Sequence, residues 1–320
     1  MDINLRERIA GLLYGYAIGD ALGIGTELMP RKIVEKKYPN GLTDYSQIVR
    51  DAHRSQWQRG EWSNDTNYVL MLVDSICDKE AISHLDYARK LGDFFKTRPD
   101  DITTHMRWVL SRPDYTSDPY GVARKAWIDM KDEASPSDNL GRALIIGVWN
   151  ENVTQNAIYN CRLTHPKPRC ETAAAVIANM ANSILWKGHE VDYETIHDMV
   201  KRKNIETLDY IESAHSGTLE DFDLDDRDTY WYVRKAMGAA LWAVWHCKSP
   251  NEALVKIVNE GGDADTNAAL AIGLLGLKYG VNALDRKYID NLIGAEKIEA
   301  ATDKLTALLK KKFLNEQPLD

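Results

Sequence analysis

The sequence predicts an all-α fold, a single domain over residues 1–320, and three observations carry that reading. Apolar residues recur at i, i+3 and i+4 in one segment after another, few stretches alternate as strands do, and many of the apolar faces are rich in Ala and Gly. Small residues on a buried face let helices approach closely, so the expected architecture is a set of central helices ringed by amphipathic ones.

In chain order, helical periodicity marks residues 5–22, 66–81, 84–97, 172–188, 229–247, 251–260, 267–280 and 301–313. Segments 5–22 and 267–280 are apolar on almost every side, as core helices are; 84–97 carries polar residues on one face. Residue 229–247 is the most apolar long stretch, yet Arg234 and Lys235 interrupt it, so it reads as a buried helix. No period of 33 to 45 residues, as helical solenoids require, is visible.

The chain length permits two domains, but no linker divides it. The turn-rich stretches 112–121 and 132–141 are short, lie between apolar segments and read as functional loops.

Hydrophobic residues make up 44% and charged residues 28%, a globular composition without a membrane span. A net charge of −8 argues against general affinity for nucleic acid. Cys77, Cys161, Cys170 and Cys247 show no Cys-x-x-Cys spacing, which disfavours zinc and a disulfide scaffold. The N-terminal apolar run mixes acids with bases and breaks at Asp20, unlike a secretory signal, so the expected location is cytoplasmic.

The tripeptide Asp-Thr-Asn occurs twice, each time ahead of an apolar run: within Ser63-Asn64-Asp65-Thr66-Asn67 and within Gly262-Asp263-Ala264-Asp265-Thr266-Asn267. A single copy is more often a helix cap than a ligand set, because Asp and Thr are ordinary N-cap residues. Two such starts facing each other would assemble hydroxyl, carboxylate and carbonyl oxygens, the hard donors that Mg²⁺ or Mn²⁺ prefers. The Gly261-Gly262 pair ahead of Asp263 is read as letting the backbone come close to a ligand.

These motifs, with Gly19-Asp20-Ala21-Leu22-Gly23 and Glu27 before them, resemble the ADP-ribosylglycohydrolases, all-α enzymes of the dinitrogenase reductase-activating glycohydrolase type. Weaker matches lie at Tyr120-Gly121, at Asn139 to Leu144 and at Thr164-His165-Pro166. The resemblance implies hydrolysis of the N- or O-glycosidic bond joining ADP-ribose to a protein side chain or small acceptor. It implies two Mg²⁺ or Mn²⁺ ions held by Ser63, Asn64, Asp65, Asp263, Asp265 and Thr266. Glu27, Asp65 and Asp263 are the implied catalytic residues, with Glu27 as general base or gate for the attacking water. Tyr120, Gly121, Gly141, His165 and Gly262 are the implied substrate contacts, the glycines offering backbone N–H groups to the diphosphate.

The implied partner is an ADP-ribosylated protein or small ADP-ribosyl compound, with no general nucleic-acid or membrane partner. Where the family has Thr-Asp-Asp-Thr, this chain has Ser63-Asn64-Asp65-Thr66. Asn64 replaces a charged ligand by a neutral carbonyl, so a weaker second ion is expected. The alternative is a catalytically weak or inactive ADP-ribose binder. A divalent-metal phosphohydrolase is a third reading, disfavoured because it wants His and more carboxylates near the metals. The segment 41–63 is read as a rim loop able to close over substrate, whose Arg50, Arg54 and Arg59 could meet phosphate but are read first as a solvated face, and Trp62 draws functional interest by position.

Overall fold

The computed structural model describes residues 3–99, 101–130 and 135–314, and the first part of the 132–141 loop therefore lies outside the described residues. Among them the α-helices are α1 (Leu5–Gly23), α2 (Arg31–Lys37), α3 (Asn64–Lys79), α4 (His84–Lys96), α5 (Thr104–Leu110), α6 (Pro119–Asp129), α7 (Leu140–Val148) and α8 (Val153–Arg162). They continue with α9 (Pro168–Asn182), α10 (Tyr193–Lys203), α11 (Leu208–Ser216), α12 (Val233–His246), α13 (Pro250–Val258), α14 (Ala264–Tyr279), α15 (Arg286–Asp290) and α16 (Ala295–Leu309). No strand occurs among the described residues, only an isolated bridge between Pro136 and Tyr232. The all-α expectation is met. Among the described residues no helix is long and apolar enough to cross a membrane.

The core is organised by α1 and α14, which run antiparallel in close contact, with α3, α13 and α16 against α1 and α7, α12 and α13 against α14. The reason lies in a stripe of glycines. Gly11, Gly15, Gly19 and Gly23 recur every fourth residue and so share one face of α1. A Cβ added to each would stand 2.1 Å from the Gly276 carbonyl oxygen, 2.4 Å from that of Ile272, 2.5 Å from the Ala268 backbone and 2.3 Å from the Asp265 Cα. Any side chain there would push the helices apart, so the stripe sets their separation.

This pairing fixes where chemistry can occur. The C-terminal end of α1, with Asp20 and the turn to Glu27, meets the N-terminal end of α14, with Asp263 to Thr266. The α3 N-terminus joins them through Asp20. Two helix starts bring partial positive charge to a place crowded with carboxylates.

Candidate functional site

Asp20 is fully buried and holds the start of α3 in place. One carboxylate oxygen accepts the Ser63 backbone N–H at 2.9 Å; the other accepts the Thr66 N–H at 3.1 Å and the Thr66 hydroxyl at 2.6 Å. Burial pushes its pKa up to about 6 even though these hydrogen bonds favour the ionised form. Ser63 then caps α3 by accepting the Asp65 N–H at 3.1 Å. A distant carboxylate thus ties down the helix start that carries Asn64 and Asp65.

The second motif does not serve as a cap. Asp263 precedes α14 but accepts no capping bond from its backbone. Its oxygens take the Ser137 hydroxyl at 2.6 Å and the Thr266 hydroxyl at 3.1 Å, and the same Thr266 hydroxyl lies 2.8 Å from Asp65 Oδ2. Two Asp-Thr-Asn copies from opposite ends of the sequence therefore share one hydroxyl. A hydroxyl has a single proton, so it satisfies one carboxylate at a time and leaves the other facing like charge.

The electrostatics follow. Burial, foremost, and the neighbouring carboxylates hold Asp65 and Asp265 well above the ordinary range, and Asp263 is pushed up to about 7. Tyr16 lies beneath this group, its phenol raised by burial and by the four aspartates around it. The Asp265 Oδ1 atom is buried without a hydrogen-bond partner, as is the Asn64 amide nitrogen. Among the described residues, no three His, Cys, Asp or Glu side chains gather closely enough to hold a metal ion by themselves. A cation at this junction would draw on the hydroxyl and amide oxygens of Ser63, Asn64 and Thr266 as well. That all-oxygen donor set, with an orphaned carboxylate oxygen and mutually repelling acids, fits a hard divalent ion.

Beside the junction opens a cleft of about 390 Å³ lined by Glu27, Leu28, Thr103, Thr104, His105, Pro136, Ser137, Asp138, Tyr230, Trp231 and Asp263. Glu27 and Asp263 line the same space. The wall is tied across the chain: the Val233 N–H donates to the Ser135 carbonyl at 2.9 Å beside the Pro136 to Tyr232 bridge. Ser63, Asn64 and Trp62 line a second, smaller recess of about 180 Å³ with Asp101. Trp62 is a packing residue there, its indole N–H on Asn67 Oδ1 at 3.2 Å and its ring against Gly294.

Two acids near the junction carry no mark in the sequence: Asp138 lines the cleft and Asp101 the smaller recess. Asp101 sits among Glu27, Asp20 and Asp138, and burial with their charges pushes its pKa up to about 7. Asp138 accepts the Thr103 hydroxyl at 2.8 Å and has His165 Nε2 at 3.8 Å. Both acids lie between periodic segments, where no pattern marks a single carboxylate.

The expected diphosphate donors are placed otherwise. The Gly121 N–H donates to Asp118 at 3.0 Å, capping α6, and neither it nor Tyr120 lines the cleft. Gly141 is buried within α7, where a Cβ would stand 2.2 Å from the Tyr16 hydroxyl; it makes room for that ring. The Gly262 N–H donates to the Met29 carbonyl at 3.0 Å. At φ +78° and +68°, Gly261 and Gly262 approach the Met29 and Leu224 carbonyls, so the backbone they admit is the chain's own. His165 is wholly buried behind Asp138, with Nδ1 2.7 Å from the Thr164 hydroxyl, and acts as an anchor for the wall. Of the three arginines expected on a solvated face, Arg50 and Arg59 are exposed there, their guanidinium groups on the Trp57 and Ile48 carbonyls, whereas Arg54 departs from the expectation and is buried on the Gly25 and Glu27 carbonyls.

The chain is 24% identical over 313 residues to ADP-ribosylarginine hydrolase Tri1 of Pseudomonas putida, covering 93% of this chain and 78% of that one. It is 23% identical over 300 residues to the ADP-ribosyl-[dinitrogen reductase] glycohydrolase of Rhodospirillum rubrum, covering 90% and 91%. A solved structure described as an ADP-ribosylglycohydrolase-related protein complex superposes with a TM-score of 0.75 at 22% identity, over 95% of this chain and 99% of that one, which shows a common fold. The ADP-ribosylglycohydrolase family profile matches residues 1–315, and the chain accordingly belongs to that family of glycosidic-bond hydrolases.

Proposed function

We propose that the enzyme removes ADP-ribose from a modified protein side chain or small acceptor, with Mg²⁺ or Mn²⁺ held by Ser63, Asn64, Asp65, Asp263, Asp265 and Thr266. The observation that carries this reading is the Thr266 hydroxyl lying between Asp65 and Asp263 beside the unpartnered Asp265 oxygen, next to the cleft that Glu27 faces. When bound, the ions supply a grip on the ribose hydroxyls and neutralise the acids around them. Relatives named for arginine and for dinitrogen reductase make a protein acceptor the favoured substrate.

The chain's own residues account for the rest. Asp20 holds the α3 start rigid, and Ser137 fixes Asp263 from the opposite wall. Tyr230 and Trp231 give the cleft an aromatic side. Glu27 takes a proton from water as the water oxygen bonds to ribose C1. The bond from C1 to the acceptor atom breaks through an oxocarbenium-like state, and that proton passes to the departing acceptor. An inactive ADP-ribose binder, the alternative raised by Asn64, is not favoured, because the named relatives are hydrolases.

The test is incubation with arginine-linked and serine-linked ADP-ribosyl peptides in Mg²⁺ or Mn²⁺, with and without chelator. Release of free ADP-ribose that stops on chelation is expected. Release from neither peptide in either metal overturns the reading.

A further inference from the structure

Glu27 does not stand alone at the mouth of the cleft. His53 Nε2 lies 2.6 Å from Glu27 Oε2, the imidazole about a quarter exposed and the carboxylate less so, with side-chain exposures of 26% and 14%. The segment around His53 is anchored to the Glu27 turn by a separate set of bonds. The buried Arg54 donates to the Gly25 carbonyl at 2.9 Å and to the Glu27 carbonyl, and Asp51 braces it at 2.8 Å. Trp57 sets its ring edge against the imidazole, with centroids 5.2 Å apart. The imidazole is therefore held in one orientation by neighbours that do not touch the cleft.

Resting on the hydrolase reading above, we propose that His53 is a positioning residue which fixes the Glu27 carboxylate for the attacking water. Its Nε2–H donates to one carboxylate oxygen, which leaves the other free to face the cleft. Three charged groups and partial burial bear on the imidazole. Glu27 raises its pKa through the hydrogen bond and by charge, Asp101 raises it, Arg54 lowers it, and partial burial opposes the charged form. The balance is upward, so His53 carries positive charge further toward neutral pH than a free histidine does. A cation in hydrogen-bond contact favours the ionised carboxylate, as a base that must accept a proton from water requires.

The test has two independent arms. In ¹⁵N-labelled protein, the imidazole signal lost in His53→Gln identifies His53, and its titration is followed by NMR. A midpoint above about 6.5 that falls in Glu27→Gln is expected; a midpoint indifferent to Glu27→Gln overturns the pairing whether or not the protein is a hydrolase. In kinetics, His53→Ala should lower kcat by about 10- to 100-fold with KM within about twofold, and should move the acidic limb of the rate profile to higher pH. His53→Gln, which keeps a neutral N–H donor, should recover most of kcat. A purely structural role predicts equal losses in both variants with an unshifted limb, and that result overturns the proposal. Circular dichroism and Mg²⁺ calorimetry on both variants separate these outcomes from misfolding. A wild-type enzyme inactive on every ADP-ribosyl substrate defeats the hydrolase reading, while the NMR arm still decides whether the two side chains are paired.

Discussion

Asp20 accepts both hydrogens that Thr66 has to offer, the backbone N–H at 3.1 Å and the hydroxyl at 2.6 Å, so that α1 supplies the cap of a helix 41 residues further on. Asp20→Ala strips three buried donors, in Ser63 and Thr66, of their acceptor. Each such loss costs about 1–3 kcal/mol, and partial access of water brings the expected total to roughly 3 kcal/mol. Urea unfolding measures it. A loss below about 1 kcal/mol would mean that α3 is held by packing alone.

Asp263→Ala and Asp265→Ala should abolish divalent-metal binding and hydrolysis while leaving the helical spectrum intact. In the wild-type protein, saturating Mg²⁺ or Mn²⁺ should raise the melting temperature and chelator should reverse the rise, since a ligand of the native state stabilises it. Scanning calorimetry shows both effects, and either variant retaining a metal-dependent shift contradicts the ligand assignment.

Asn64→Asp places a fourth carboxylate where its neutral counterpart has a buried, unpartnered amide nitrogen. Metal-free protein should lose stability, because the new charge joins Asp65 and Asp101. Metal affinity should rise by on the order of 1–3 kcal/mol, or about tenfold to a hundredfold. Calorimetric titration with Mn²⁺ decides this, and unchanged affinity removes Asn64 from the ligand set.

Gly19→Ala pushes a methyl group into the Ala268 backbone, which stands 2.5 Å from the position the new carbon needs. Overpacking of this kind costs about 1–3 kcal/mol or more. Because Asp20 is the next residue, metal affinity should fall even at temperatures where the variant is fully folded. A stable variant with normal Mg²⁺ binding would show that the helix pair does not set the site.

His105 links pH to stability through the cleft wall. Burial, with the charges of Lys167 and Arg142 adding to it, lowers its pKa to about 4, although its hydrogen bond to the Thr164 carbonyl at 2.7 Å works the other way. The native state binds the proton less readily than the unfolded chain, so stability falls as pH drops from about 6.5 through about 4, by on the order of 3 kcal/mol. His105→Gln should be less stable than wild type at neutral pH and converge with it near pH 4. Urea midpoints across this range that stay parallel would contradict the assignment.

Much of this was legible in the sequence, and unevenly. Helices with a long apolar pattern, α1, α3, α4, α9, α12, α13, α14 and α16, announce themselves by periodicity, and the paired Asp-Thr-Asn motifs mark both halves of the carboxylate junction. Short helices such as α5, α7 and α8 do not, because a few turns bury too few residues to show a period. Asp101 and Asp138 gain their place from tertiary contacts alone, and the Gly121 and Gly262 N–H groups, open in the sequence, are taken by Asp118 and Met29. The glycines of α1 are visible at every fourth position, yet only the structure names α14 as the surface they meet.

That α1 to α14 contact also sets an order of events during synthesis. Helix α1 ends at Gly23 and its partner begins at Ala264, so about 240 residues must emerge before the two can pair. Closing so long a loop costs about 3 kcal/mol more than closing one of ten residues. Until then the glycine face of α1 lacks the α14 surface that fills it. The junction of carboxylates therefore forms only after α14 has been made, long after Asp20.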